Sequence, residues 1–560
     1  MKRFLCLILA FLIMSIPVGC SRSEEKEPTS ANTTSGTTTD DLKPITFKMY
    51  NCEVDANPDN FQSPVAKKIT EKTGVTLEIE NAISSDAGAQ KISLFAASGQ
   101  YPELIYAKDD LYLLKNLDAV LKLDDLIEEH GPNIKKFYGD SLKRLRWNKE
   151  DPGIYYLGGS IFAQENMQPN SGFQLQLGAI KELGYPEVKT LEDFENVIKQ
   201  YKEKYPKIDG QDTIGLSLCG DDWRTMITVT NPACFAAGGS DDGEWYIDNE
   251  TLKVQRHLTR PEEREYFRWL NHMNDIGLLD PESFTQKYDQ YKAKIASGRV
   301  IGLTDARWDI GEPVAALLQD GKVERTYGYF PVTLNKDIKY ADFQSTGYTG
   351  GWGIAITDKC KDPVRAIKFL DWLCTEEAQI LTHWGIEGEH YTIENGKRVM
   401  KPETLEAKSN DPKFPQKSGL LKYLYPFPAY GNTVKDSTGQ YFEPFETIES
   451  VTESQKPLEN EILSKYGVKS WKELYPQASE FPVKPYGAAW VVNIEDPDWT
   501  AANERLVKIG YTMIPAAITA KPEDFDKKWD EYLKALDDAG LDKVTEQFEK
   551  AIKDRVEMWK

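Results

Sequence analysis

The chain has 560 residues, 89 of them acidic and 68 basic, for a formal net charge of −21. That length carries two domains or three. The charge balance excludes a general nucleic-acid surface, because no positive field would replace the counterions of a phosphate backbone.

Lys2 and Arg3 precede an uncharged apolar run, Phe4 to Met14. The run is too short to span a bilayer and has the pattern of a secretory signal. Gly19 directly before Cys20 marks a lipoprotein cleavage site, although Pro17 stands where a branched aliphatic is usual. Cys20 would then be the lipidated, palmitate-bearing mature N-terminus; an ordinary secretory signal with an incidental Cys20 is the alternative. Loss of Lys2 and Arg3 takes the charge from −21 to −23. Ser21 to Asp41 is polar and rich in Ser and Thr, with nothing to anchor a core. Residues 1–20 are therefore expected to be signal peptide and 21–43 a flexible tether.

Folded sequence begins near Pro44. Ile45, Phe47 and Met49 alternate as in a strand, Val65 to Lys72 is helix-like, and Val75, Leu77 and Ile79 alternate again. Gly88 to Ala97 has helical spacing and leads to the apolar pair Leu104 and Ile105. This order predicts an α/β lobe. In a second α/β region, Phe173 to Leu183 runs as one element to Gly184. Thr190 with Asp193 forms a capping-box pair opening a helix through Tyr201. Ile214 to Leu218 and Val300 to Leu303 are strand candidates. Asp362-Pro363 starts a helix whose apolar face is Ala366, Ile367, Phe369, Leu370 and Leu373. Two amphipathic helices, Phe525 to Leu536 and Leu541 to Val556, are expected to dock on the protein's own body.

Enzymatic signatures are scarce. There is no HExxH, P-loop or GxSxG. Clustered acids such as Asp221, Asp222, Asp241, Asp242 and Glu244 permit a glycoside hydrolase in principle, but 89 acids make such clusters inevitable. Asp209 and Asp212, in the turn after Pro206, are the candidate ligands for a structural calcium, although the segment falls short of an EF-hand loop and an ordinary turn is the favoured alternative; no other cofactor is expected. Five body cysteines (Cys52, Cys219, Cys234, Cys360, Cys374) form no CxxC, and their odd number predicts at least one unpaired thiol.

The aromatic residues carry more. Many of the 13 Trp, 28 Tyr and 22 Phe sit in polar or Gly-rich loops. Such stations are Asp221-Asp222-Trp223-Arg224, Ala306-Arg307-Trp308-Asp309, Tyr348 to Gly353 around Trp352, then Trp384, His390-Tyr391, and Tyr486 to Trp490. Aromatic planes can cover the C–H face of a sugar ring while Asp, Glu, Arg and Asn take its hydroxyls.

Several segments, in this order, carry a family resemblance. They are Gly99-Gln100-Tyr101-Pro102-Glu103-Leu104-Ile105, Leu121 to Ile127 (LKLDDLI), Gly351 to Thr357 (GWGIAIT) and Cys360 to Leu373. Most specific is Trp384 to Thr392 (WGIEGEHYT) before Asn395-Gly396-Lys397, and the tail from Phe525 to Leu541 also matches. Over residues 45–560 the chain resembles the family 1 extracellular solute-binding lipoproteins of ABC importers, the LipO-like group of Gram-positive bacteria. The resemblance implies a type II periplasmic-binding-protein-like α/β fold with two lobes and an interlobe cleft. Lobe 1 would take 44–158 and 328–358, and lobe 2 would take 159–327 and 359–560. It implies a monomer held by lipid on the outer face of the cell membrane, delivering an oligosaccharide to permease subunits and doing no chemistry. A receptor for a non-sugar solute such as a peptide is the alternative within the importer class, and an exported polysaccharide-active hydrolase the alternative outside it. The expected ligand contacts are Trp223, Arg224, Trp308, Trp352, Trp384, His390, Tyr391 and Asp109. Related binders of acidic alginate oligosaccharides hold calcium in a fuller segment than Pro206 to Asp212. Between Gly158 and Gly178 a basic, Trp-containing segment common in relatives is replaced by Asn170-Ser171-Gly172-Phe173-Gln174-Leu175-Gln176-Leu177, a region expected to line the cleft.

Overall fold

The structure is a computed structural model that describes residues 42–158, 164–347, 352–411, 413–492 and 494–560. The signal stretch, Cys20 and nearly all of the tether lie outside the described residues.

In chain order, β1 (Ile45–Val54), α1 (Pro64–Thr73), β2 (Val75–Ala82), α2 (Ser85–Ser98) and β3 (Leu104–Tyr106) come first. The chain then builds β4 (Phe173–Gln176), α3 (Leu191–Lys204), β5 (Ile214–Ser217), α4 (Pro261–Asp275), β6 (Val300–Thr304) and β7 (Tyr327–Phe330). It continues as β8 (Ala355–Ile356), α5 (Pro363–Leu373), α6 (Glu376–Trp384) and a hairpin of β9 (Tyr391–Glu394) and β10 (Lys397–Met400). Helices α7 (Pro497–Ile518), α8 (Phe525–Asp538) and α9 (Leu541–Trp559) end it.

Two four-stranded sheets result. The first has the order β8-β3-β1-β2, with β1 parallel to β2 and β3, and β8 antiparallel through Ala355↔Ile105. The second has the order β7-β4-β6-β5, in which β6 and β5 are parallel while β4 opposes both neighbours. Local chemistry sets the helix ends as the sequence predicts. Ser63 caps α1 ahead of Pro64, and Gly74 closes it at φ +69°. Thr190 and Asp193 form the capping box of α3. Asp362 Oδ1 accepts the Arg365 N–H at 3.0 Å ahead of Pro363.

Three assignments are corrected. Phe173 to Leu183 is a strand followed by a separate helix, because Phe173–Gln176 is buried between two antiparallel neighbours. Residues 328–330 belong to the second sheet, since Phe330 pairs with Phe173; within 328–358 the first sheet receives β8. Helix α5, expected in the second lobe, packs its apolar face into the first core beside Phe47, Ile127 and Ile134. Its Asp371 accepts the N–H groups of Asn133 and Ile134 at 2.7 and 2.9 Å. That carboxylate caps the helix beginning at Pro132 and fixes α5 to the first lobe. Tyr423 and Phe427 join the same core, and the second core resumes with Ile462, Leu463 and Trp471. The C-terminal helices dock on the second lobe as expected, with Trp529 and Phe548 buried. All five body cysteines are free thiols.

Candidate functional site

Parallel strands end together, so each sheet presents one edge of loops where a ligand can sit. At the first sheet that edge holds Lys108 and Asp109 after β3, and Trp352 before the oppositely running β8. At the second sheet, Thr304↔Phe173 and Phe330↔Phe173 bring the end of β6 and the start of β4 to one level. The loops leaving β5 and β6 there carry Trp223-Arg224 and Arg307-Trp308-Asp309, with Asn170 to Gly172 leading in. The backbone at this edge is knit together: the Arg307 N–H donates to Asn170 O at 2.8 Å. Gly172, at φ +104°, leaves no room for a Cβ against the Tyr340 hydroxyl.

Trp223 and Trp308, from separate loops, lie parallel, with ring centroids 6.0 Å apart and planes within 10°. They stay 43% and 55% exposed, which is unusual for the largest apolar side chain and marks a surface kept for contact. Arg224 holds the pair from behind. Its Nε donates to both Asp309 oxygens at 3.0 and 3.1 Å, and its Nη1 to Asp222 Oδ2 at 2.8 Å. The guanidinium also lies 3.5 Å from the Tyr288 ring centroid and 4.7 Å from Trp223. Beneath it, buried Asp305 accepts from the Tyr291 hydroxyl at 2.7 Å. Burial, then the neighbouring Asp309, pushes the Asp305 carboxyl up. Burial also raises Asp309, with Arg224 pulling it back.

On the first lobe, Trp352 Nε1 donates to Asp109 Oδ1 at 2.8 Å, and the Lys108 ammonium lies 5.1 Å from the Trp352 ring. Asp109 is exposed to solvent. Desolvation there raises its carboxyl, opposed by the Trp352 N–H and Lys108. The crossing segments tie to one another: Asn432 accepts the Glu165 N–H at 2.9 Å and donates to Glu165 O at 2.8 Å.

Sequence reasoning thus finds two groups, Trp223-Arg224-Trp308 and Asp109-Trp352, one at each strand edge. It misses Tyr288 and Asp305, and names Asp309 only as part of the Trp308 station. Asp305 had a signal, an acid directly after the apolar strand Val300 to Thr304; Tyr288, on a helix remote in sequence, had none.

Other expected contacts are corrected. Trp384, His390 and Tyr391 are buried in the packing of the β9–β10 hairpin against α6. Trp384 donates to Tyr441 O at 3.2 Å and meets Tyr391 edge-on at 6.0 Å. His390 Nδ1 accepts the Ile386 N–H at 3.0 Å, and burial lowers its pKa. Hydrogen bonding and packing occupy the groups expected to meet a ligand. Asp209 and Asp212 sit on an exposed hairpin, Asp209 at φ +49° in its turn. Their carboxylates pair with Lys322 at 3.1 Å and Lys207 at 3.6 Å, so they diverge onto ammonium groups and do not converge on a calcium position. Part of the Trp352 station, residues 348–351, lies outside the described residues.

Residues 55–380 match the bacterial extracellular solute-binding protein family. The chain belongs to that family. Lipoprotein LipO of Bacillus subtilis is 23% identical over 469 residues, spanning 81% of this chain and 85% of that protein. Among solved structures, an HMO-binding solute-binding protein associated with an ABC transporter of Bifidobacterium longum infantis superposes with a TM-score of 0.68 at 16% identity. It covers 91% of this chain and 99% of its own. Streptococcus pneumoniae FusA in complex with kestose gives 0.59 at 17% identity, with coverages of 91% and 99%. The fold is the two-lobed α/β architecture of the periplasmic binding proteins.

Proposed function

We propose that this solute-binding protein captures an oligosaccharide between its lobes and hands it to an ABC permease at the outer face of the membrane, where lipid on Cys20 holds it. The observation carrying this reading is the parallel, exposed pair Trp223 and Trp308, backed by the charged network of Arg224, Asp222 and Asp309. Flat apolar faces beside hydroxyl-binding groups suit a sugar ring. Trp352 and Asp109 supply a second aromatic and acceptor from the other lobe. A ligand touching both lobes favours the closed conformer by its differential contacts, and closure is the signal a permease can read. The HMO-binding protein and the kestose complex of FusA support the ligand class, and the lipoprotein relative supports the anchor.

A glycan array followed by calorimetry on residues 44–560 tests the proposal. One-to-one saccharide binding without product supports it. Turnover of the saccharide would mean a hydrolase; binding of a peptide and no sugar would leave an importer receptor with a different solute.

A further inference from the structure

Among the described residues, cations at the strand edges have carboxylate neighbours. Arg224 is shared by Asp309 and Asp222, Lys108 pairs with Glu53, and Arg307 lies 3.7 Å from Glu446. Just behind, Lys472 pairs with Glu165 at 2.5 Å and Lys484 with Asp242 at 2.8 Å.

Carboxylates are in surplus at the same edges. Asp109 takes an indole N–H and Asp342 the Ser171 hydroxyl at 3.3 Å; among the described residues neither they nor Asp110 has a salt-bridge partner. Sugar hydroxyls are good donors to such acceptors. The carboxylate or sulfate of an acidic sugar adds only acceptors, facing these acceptors. To gain Arg224 as its cation it would have to draw that side chain from Asp309, leaving this partly buried acid beside Asp305 without its counter-charge.

We propose that the cleft selects an uncharged oligosaccharide and rejects anionic ones, uronate or sulfated. This rests on the oligosaccharide reading above and adds the ligand's charge class to it.

The test is an array of length-matched neutral, uronate-containing and sulfated oligosaccharides, with calorimetry on every binder at low and high salt. The expected result is that all tight binders are neutral, with anionic chains about a hundredfold weaker or more. Neutral-ligand affinity should also change less than about twofold with salt, since no ion pair forms across the interface. A uronate or sulfated chain binding within about tenfold of the best neutral one overturns this inference and leaves the oligosaccharide reading standing. Absence of any saccharide binding overturns both.

Discussion

Trp352 donates its indole N–H to Asp109 Oδ1 at 2.8 Å, fastening the segment that enters β8 to the turn that leaves β3. The bond holds an indole at the cleft edge of the first lobe with its face near the Lys108 ammonium. Two loops separated by 243 residues thereby present one surface.

Asp109→Ala frees that indole. Affinity for the best saccharide is expected to fall about tenfold, in line with about 1.5 kcal/mol for a hydrogen bond to a charged group. Trp352→Phe, which keeps a ring and removes the N–H, should fall by a similar factor. Calorimetry reads both; unchanged affinity in the pair would remove this edge from the site.

Trp223→Ala and Trp308→Ala should each weaken binding by about 1–3 kcal/mol, the range of an aromatic anchor. Because the two rings lie parallel at 6.0 Å, the double variant should lose less than the sum of the single losses. Both side chains are largely exposed, so thermal melting of the unliganded protein should barely move. A large drop in melting temperature would mean that the rings serve packing instead.

These tryptophans were legible in the sequence because charge and glycine flank them and neither lies on a helical stripe. Trp384 and His390 showed similar flanks, yet the structure buries them, since a hairpin closing on a helix leaves no period in its sequence. The strands themselves were legible where they are apolar or alternate, as at β1, β2 and β6. The lobe membership of α5 was not: its apolar stripe shows that it packs, while the Asp371 cap on Asn133 and Ile134 that decides where lies in a contact 237–238 residues apart.

Trp384→Ala therefore belongs to stability. Emptying a buried site of this size is expected to destabilise the fold by about 3–5 kcal/mol, read as a lower urea midpoint with an unchanged slope. The folded fraction should bind saccharide as the parent does. A selective loss of affinity with intact stability would return Trp384 to the binding surface.

Asp342 gives a pH signature. Burial pushes its carboxyl up to about 7 from an ordinary 3.8, so the folded chain holds this proton more tightly than the unfolded one. The sign follows from linkage: the contribution of Asp342 to stability is full below the ordinary value and declines as pH rises from about 4 towards about 7. Asp342→Asn removes the titration while keeping an acceptor for Ser171. Its denaturation free energy should vary less across that window than the parent's; an identical pH profile would show that Asp342 ionises normally.

Arg224 combines both roles, and its variants separate them. Its Nε bridges both oxygens of Asp309 while the guanidinium stacks on Tyr288 and Trp223, a planar fork that lysine cannot reproduce. Arg224→Lys keeps a positive charge near Asp309 and should lose affinity about tenfold through a loosened Trp223, with little change in the pH dependence of stability. Arg224→Ala removes the charge that opposes the burial-driven rise of Asp309 and also acts on Asp305. Both acids then titrate higher in the folded state, the folded chain binds more protons than the unfolded one over a wider range, and stability should fall more steeply as pH rises from 5 to 8. Denaturation at several pH values, beside calorimetry at one, reads the two effects apart. Equal pH slopes in the alanine and lysine variants would show that Arg224 positions Trp223 without opposing the rise of the buried acids.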